Sequence, residues 1–95
     1  MLPKIALPAE NAIVEANELA VRWRAVPGSR YYELRIVTDA GDLVWQERVT
    51  GTDWTPGAKL TLQPGAEYFV RIDAFVDDAK PISSEHVLFK VAPQG

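Results

Sequence analysis

The sequence predicts an all-β sandwich or barrel of short strands. Three observations carry that reading: apolar and polar residues alternate with period two in four separate runs, proline and glycine breakers recur about every ten residues, and 95 residues leave room for one core and little else. Period-two alternation places successive side chains on opposite faces of an extended chain. Short strands separated by closely spaced turn signals indicate a sandwich or barrel rather than βαβ units.

In chain order, an N-terminal edge strand is expected within Ile5 to Val14. Glu10 to Leu19 is rich in Ala, Glu and Asn and also fits a short helix with Ile13, Ala16 and Leu19 on one side, although Pro8 brackets it and no strong cap follows. Leu19, Val21 and Trp23 alternate with Ala20, Arg22 and Arg24, the pattern of a half-buried strand. Pro27-Gly28 turns the chain into Tyr32, Leu34 and Ile36, which alternate with Glu33 and Arg35. Asp39-Ala40-Gly41-Asp42 reverses it again into a strand over Leu43 to Val49. After Thr55-Pro56-Gly57 a strand is expected over Ala58 to Leu62, closed by Pro64-Gly65. Tyr68, Val70, Ile72 and Ala74 then alternate with Phe69, Arg71, Asp73 and Phe75. Beyond Lys80-Pro81 the last strand sets Val87, Phe89 and Val91 against Leu88 and Lys90.

Composition narrows the function classes. Hydrophobic residues make up 47% and charged residues 24%, the balance of a folded globular domain and far from that of disorder. A net charge of -3 with interspersed signs offers no basic stripe for nucleic acid or anionic lipid. Without cysteine there is neither a disulfide framework nor a thiolate nucleophile or ligand. No apolar run approaches the ~18 residues of a membrane span, so membrane insertion by this segment is not expected. Met1-Leu2-Pro3-Lys4 lacks the apolar core of a signal peptide, and a domain excised from a longer protein is the favoured reading of that start.

Trp23 closing one strand, Tyr32 opening the next, and Leu62-Gln63-Pro64-Gly65-Ala66-Glu67-Tyr68 followed by Val70, Ile72 and Ala74 resemble the fibronectin type III pattern. The resemblance runs from about Pro8 to Val91 within one domain of residues 1–95. It implies an immunoglobulin-like β-sandwich of seven strands in two antiparallel sheets, A-B-E and C'-C-F-G, with a Trp and a Tyr facing each other in the core and a tyrosine corner at Tyr68. The runs Gly41-Asp42-Leu43-Val44-Trp45 and Thr52-Asp53-Trp54-Thr55-Pro56 resemble type III-like modules of exported bacterial proteins, such as anti-sigma-type regulators and secreted hydrolases. That likeness implies an extracytoplasmic location. Val76 to Pro81 contains no Arg-Gly-Asp, so integrin binding has no support.

Chemistry-bearing residues are sparse. His86 is the only histidine, and its neighbour Glu85 points to the opposite face of an extended chain. Asp73, Asp77 and Asp78 lack EF-hand spacing and sit near Lys80, which fits a solvated charged loop better than a calcium site. Ser29, Ser83 and Ser84 stand in turn contexts with no Gly-x-Ser-x-Gly elbow, and the glycines are spread one to a turn, with no phosphate-cradling loop. No catalytic residue, metal ligand or cofactor is expected, and the chain is not expected to be an enzyme.

The implied topology makes the outer face of the C, F and G strands the strongest functional candidate. With Tyr32, Leu34, Ile36, Tyr68, Val70 and Ile72 inward, Tyr31, Val37, Phe69, Phe75 and Leu88 point outward as an apolar patch interrupted by Arg35, Arg71 and Asp73. Tyr31, Phe69 and Phe75 are the candidate anchors for a protein partner or neighbouring domain, with Arg35 and Arg71 as orienting contacts. The alternatives are a carbohydrate-associated module of a secreted hydrolase, in which Trp45 or Tyr31 stacks on a polysaccharide, and a spacer with no ligand. Trp54 is expected in the core.

Overall fold

The computed structural model describes residues 3–56, 60–76 and 80–93, and it is a sandwich of two sheets. The strands are β1 (Ile5–Leu7), β2 (Ala12–Val14), β3 (Val21–Trp23), β4 (Tyr31–Thr38), β5 (Leu43–Val49), β6 (Asp53–Trp54), β7 (Glu67–Phe75), β8 (Ile82–Ser83) and β9 (Val87–Val91). The small sheet has the order β1-β3-β6 and the large one β2-β9-β7-β4-β5, with β8 paired to β7. These correspond to the A-B-E and C'-C-F-G sheets implied by the sequence.

Among the described residues nine strands stand where seven are expected, for identifiable reasons. The N-terminal edge strand is divided: β1 pairs antiparallel with β3, and the chain then crosses to the other sheet, where β2 runs parallel to β9. Pro8 can donate no ladder bond, and Asn11 takes the left-handed region at φ 65°, a conformation asparagine tolerates, so the ladder ends between the two halves. The large sheet is therefore mixed rather than wholly antiparallel. The helical alternative over Glu10 to Leu19 is not realised: Asn11 N–H donates to Leu88 O at 2.7 Å and the Glu10 carboxylate accepts from Leu88 N–H at 2.9 Å, both fixing β2 beside β9.

The strand expected over Ala58 to Leu62 is also corrected. Residues 57–59 lie outside the described segments, and 60–62 belong to neither sheet; the small sheet is closed instead by β6, with Trp54 opposite Val21. Leu62 is buried and Leu60 packs against the core, so the apolar alternation there marks burial without a hydrogen-bonded ladder. The last strand is interrupted as well. β8 pairs with Asp73 and Ala74 of β7, β9 pairs with Glu67 to Val70, and one extra residue is accommodated between Ser84 and Val87 as a bulge. The buried Ser84 bridges this break: its Oγ accepts from Ile72 N–H at 2.9 Å and donates to Glu85 O at 2.9 Å.

The core lies between the sheets and follows the inward phase of each strand: Val21, Trp23, Tyr32, Leu34, Ile36, Tyr68, Val70, Ile72, Phe89 and Val91 are buried. Trp23 meets Tyr32 edge-on with ring centroids 5.6 Å apart. Both buried tyrosines use their hydroxyls as acceptors for turn backbone. Tyr32 Oη takes Val26 N–H at 2.9 Å, and Tyr68 Oη takes Gln63 N–H at 2.9 Å, the latter forming the tyrosine corner with Gly65 in the left-handed region at φ 79°. Tyr32→Phe is expected to cost about 1–2 kcal/mol because it strands a buried amide, and Tyr68→Phe about 1 kcal/mol because its amide is partly solvated. Urea midpoints of the two variants check that order.

Candidate interaction face

The side of the large sheet turned away from the small sheet is built from alternate residues of β4 and β7, which pair antiparallel from Tyr31 opposite Phe75 to Thr38 opposite Tyr68. Tyr31, Glu33, Arg35 and Val37 stand opposite Phe75, Asp73, Arg71 and Phe69 respectively. The pairing sorts the face into three bands.

The first band is aromatic. Tyr31 and Phe75 stack with centroids 4.7 Å apart and planes 17° from parallel, and the Arg48 guanidinium carbon sits 4.1 Å from the Tyr31 centroid. Arg48 comes from β5, on the other side of β4 from β7, so the Tyr31 ring is held between a cation and a second ring. A sugar stacking on Tyr31 would have to displace one of them.

The second band is charged. Glu33 faces Asp73 and Arg35 faces Arg71, so like charges oppose one another across strands, an arrangement that is unfavourable by itself. Each is compensated along its own strand. Arg71 Nη2 donates to Asp73 Oδ2 at 3.2 Å, with Nε 3.1 Å from Oδ1, and Arg35 Nη2 lies 3.9 Å from Glu33 Oε1. Gln46 Nε2 on β5 donates to the same Glu33 oxygen. Asp73 is only 6% exposed, so it is a strand residue under the Arg71 guanidinium and not part of a solvated loop.

The third band is aliphatic and aromatic. Val37 and Phe69 are flanked by Leu43 of β5 and Leu88 of β9, and Ile13 projects beside Lys90 at the edge. Leu43 is 57% and Ile13 68% exposed. His86 meets the Phe69 ring edge-on at 6.1 Å, and with Val37 and the Thr38 to Gly41 turn these two rings line an open groove of about 350 Å³.

All five candidate contact residues thus share one face, each of them half-buried, but the structure joins them in pairs: Tyr31 with Phe75, and Arg35 with Arg71. Phe69 is separate. Six residues of extended chain put about 20 Å between the first and third bands. The apolar patch expected from the sequence is therefore two patches with a belt of four charged side chains between them. Arg48, Gln46, Leu43 and Ile13 enter the face without having been singled out in the sequence, because their positions follow from which strands neighbour each other.

Elsewhere, Trp54 is buried, as its place in the sequence suggests. Trp45 stands opposite Ile36 on the inner side, packs against the core and donates from Nε1 to Glu47 Oε1 at 3.0 Å, so it is no outward platform. Among the described residues no three His, Asp or Glu side chains come together, and no helix is long and apolar enough to cross a membrane. Asp77 and Asp78 lie outside the described residues.

No protein-family model matches the chain, and no curated protein sequence does. Solved structures do. A fibronectin(III)-like module of Clostridium thermocellum CbhA superposes over 99% of this chain and 99% of its own, with a TM-score of 0.67 and 13% identity. An Fn3-like protein from Clostridium thermocellum covers 100% of this chain and 96% of its own, at TM-score 0.67 and 16% identity. CopC from Methylosinus trichosporium OB3b covers 98% and 96%, at TM-score 0.66 and 19% identity. At these identities the likeness is one of fold: the architecture is that of fibronectin type III-like modules.

Proposed function

We propose that this fibronectin type III-like domain is a non-catalytic interaction or spacer module of a larger exported bacterial protein, and that it meets its partner or a neighbouring domain through the outer face of β4, β7 and β9. One observation carries the reading: the Arg48–Tyr31–Phe75 stack and the Arg35–Arg71 row share one open sheet face, with the Glu33–Asp73 row between them. Aromatic rings and arginines are the side chains enriched at protein interfaces, because both bring large contact areas and arginine adds directional donors. The extracytoplasmic setting is supported by the resemblance of the Gly41 to Trp45 and Thr52 to Pro56 runs to modules of exported proteins. An extent of 46 Å along the long axis suits a spacer.

The test is immobilised wild-type domain beside Phe75→Asp, each presented with the cell-envelope and secreted proteins of a bacterium that encodes the chain. A protein held by the wild type and released by Phe75→Asp supports the face. Equal retention by both overturns it, and retention by neither assigns the spacer role. The variant is expected to fold, with a loss of about 1 kcal/mol from the broken ring stack, which a thermal melt checks.

A further inference from the structure

The two sheets have four edges, and they are very unequal. β1, β2 and β6 are three, three and two residues long, too short to template another strand. β5 is seven residues, Leu43 to Val49, and among the described residues no strand lies beyond it. Alternate residues of an edge strand direct N–H and C=O groups away from the sheet, and proteins blunt long edges with proline, lysine, bulges or covering segments. β5 contains no proline, glycine or lysine, and its one irregularity is a bulge at the Val44 end, where Ile36 pairs with Trp45 but Val37 with Leu43.

The side chains along this edge are self-complementary. Two identical strands joined antiparallel about a two-fold axis normal to the sheet pair residues symmetrically about one position. The bulge keeps Val44 and Trp45 on the inner side and Leu43 on the outer, so centred on Gln46 the same-face pairs are Trp45 with Glu47, Gln46 with itself and, beyond the bulge, Leu43 with Arg48. The Trp45 indole N–H of each copy then lies beside the Glu47 carboxylate of the other, and the axis carries a neutral amide pair. No like charges are opposed. Moving the centre to Glu47 sets two carboxylates face to face, and moving it to Arg48 sets two guanidinia. One Glu and one Arg give β5 no net charge, so two copies approach here without the repulsion of a chain carrying -3 overall.

We propose that β5 is a self-pairing edge: two copies of this chain join antiparallel through β5 with the axis at Gln46, making one continuous sheet through both molecules. The contact uses backbone groups at the sheet's rim, beside the outer-face bands that Leu43, Gln46 and Arg48 also reach.

The first test is sedimentation of the 95-residue chain from micromolar to millimolar concentration, beside Gln46→Lys. Gln46 is exposed, so lysine leaves the monomer fold intact, but it places two ammonium groups opposite each other at the axis. A concentration-dependent dimer whose association weakens at least tenfold in Gln46→Lys, with an unchanged melt, supports the proposal. A wild type that stays monomeric throughout, or a dimer indifferent to Gln46→Lys, overturns it. The second test uses the absence of native cysteine. Gln46→Cys sets two thiols on directly opposed residues, within reach of a disulfide, while Glu47→Cys faces Trp45 of the other copy. With diamide accepting the two electrons and two protons, Cys at position 46 should cross-link at least tenfold faster than Cys at position 47. Equal rates overturn the register.

Discussion

Phe89→Ala is expected to be the most damaging single truncation in this domain, lowering stability by about 3–5 kcal/mol. β9 is the strand through which β2 and β7 are connected, and Phe89 stands opposite Ala12 on one side and Tyr68 on the other. Its ring is fully buried and stacks on Tyr68 at 5.8 Å, so its removal empties the space behind the tyrosine corner as well as its own. Domains of this size hold roughly 5–15 kcal/mol in total, and at several degrees per kcal/mol the melting temperature should fall by about 20 °C. Lys90→Ala is the internal control. That side chain is exposed on the opposite face, and its loss should stay within about 0.5 kcal/mol. Thermal and urea unfolding of both variants settle the matter; comparable losses would mean that β9 carries the opposite phase.

Arg71→Met is expected to be the most costly substitution on the outer face, at about 2–4 kcal/mol. It leaves the Asp73 carboxylate 6% exposed without the guanidinium that pairs with it. An opposing contribution comes from relief of the repulsion between Arg35 and Arg71, but cross-strand pairs of this kind are worth roughly 0.2–1 kcal/mol, too little to reverse the sign. Arg71→Met combined with Asp73→Val removes both charges and keeps the volume, and should recover most of the loss. A double-mutant cycle from denaturant midpoints measures the coupling, and additive single losses would show that the two side chains stabilise the fold independently.

Much of this architecture was legible in the chain. The inward phase of four strands, from Val21 through Phe89, was carried by alternation, because side-chain direction in an extended chain is a local property of period two. The turn at Asp39 to Asp42 was legible for a related reason: Gly41 adopts φ 95° and closes the hairpin by donating to Thr38 O at 2.9 Å, a conformation its sequence is suited to. Leu62 to Tyr68 spelled out the tyrosine corner because the bond that defines it, from Gln63 N–H to Tyr68 Oη, joins residues only five apart.

Features that rest on non-local pairing were not legible. Leu60 and Leu62 alternate as a strand would, yet they only fill the core, because the bonds that would make them a strand depend on a partner elsewhere. Ser84 reads as a turn serine, and its role in bridging the last strand depends on Ile72, twelve residues earlier. Arg48 covers Tyr31 only because β5 flanks β4, and the charged belt exists only because the β4–β7 register sets Arg35 against Arg71 rather than one residue along. Which face each strand residue takes and where the chain turns are local properties, set within a few neighbouring residues. The tertiary structure alone decided which strands lie side by side and in what register, and so it decided the composition of the outer face and left β5 as the long free edge.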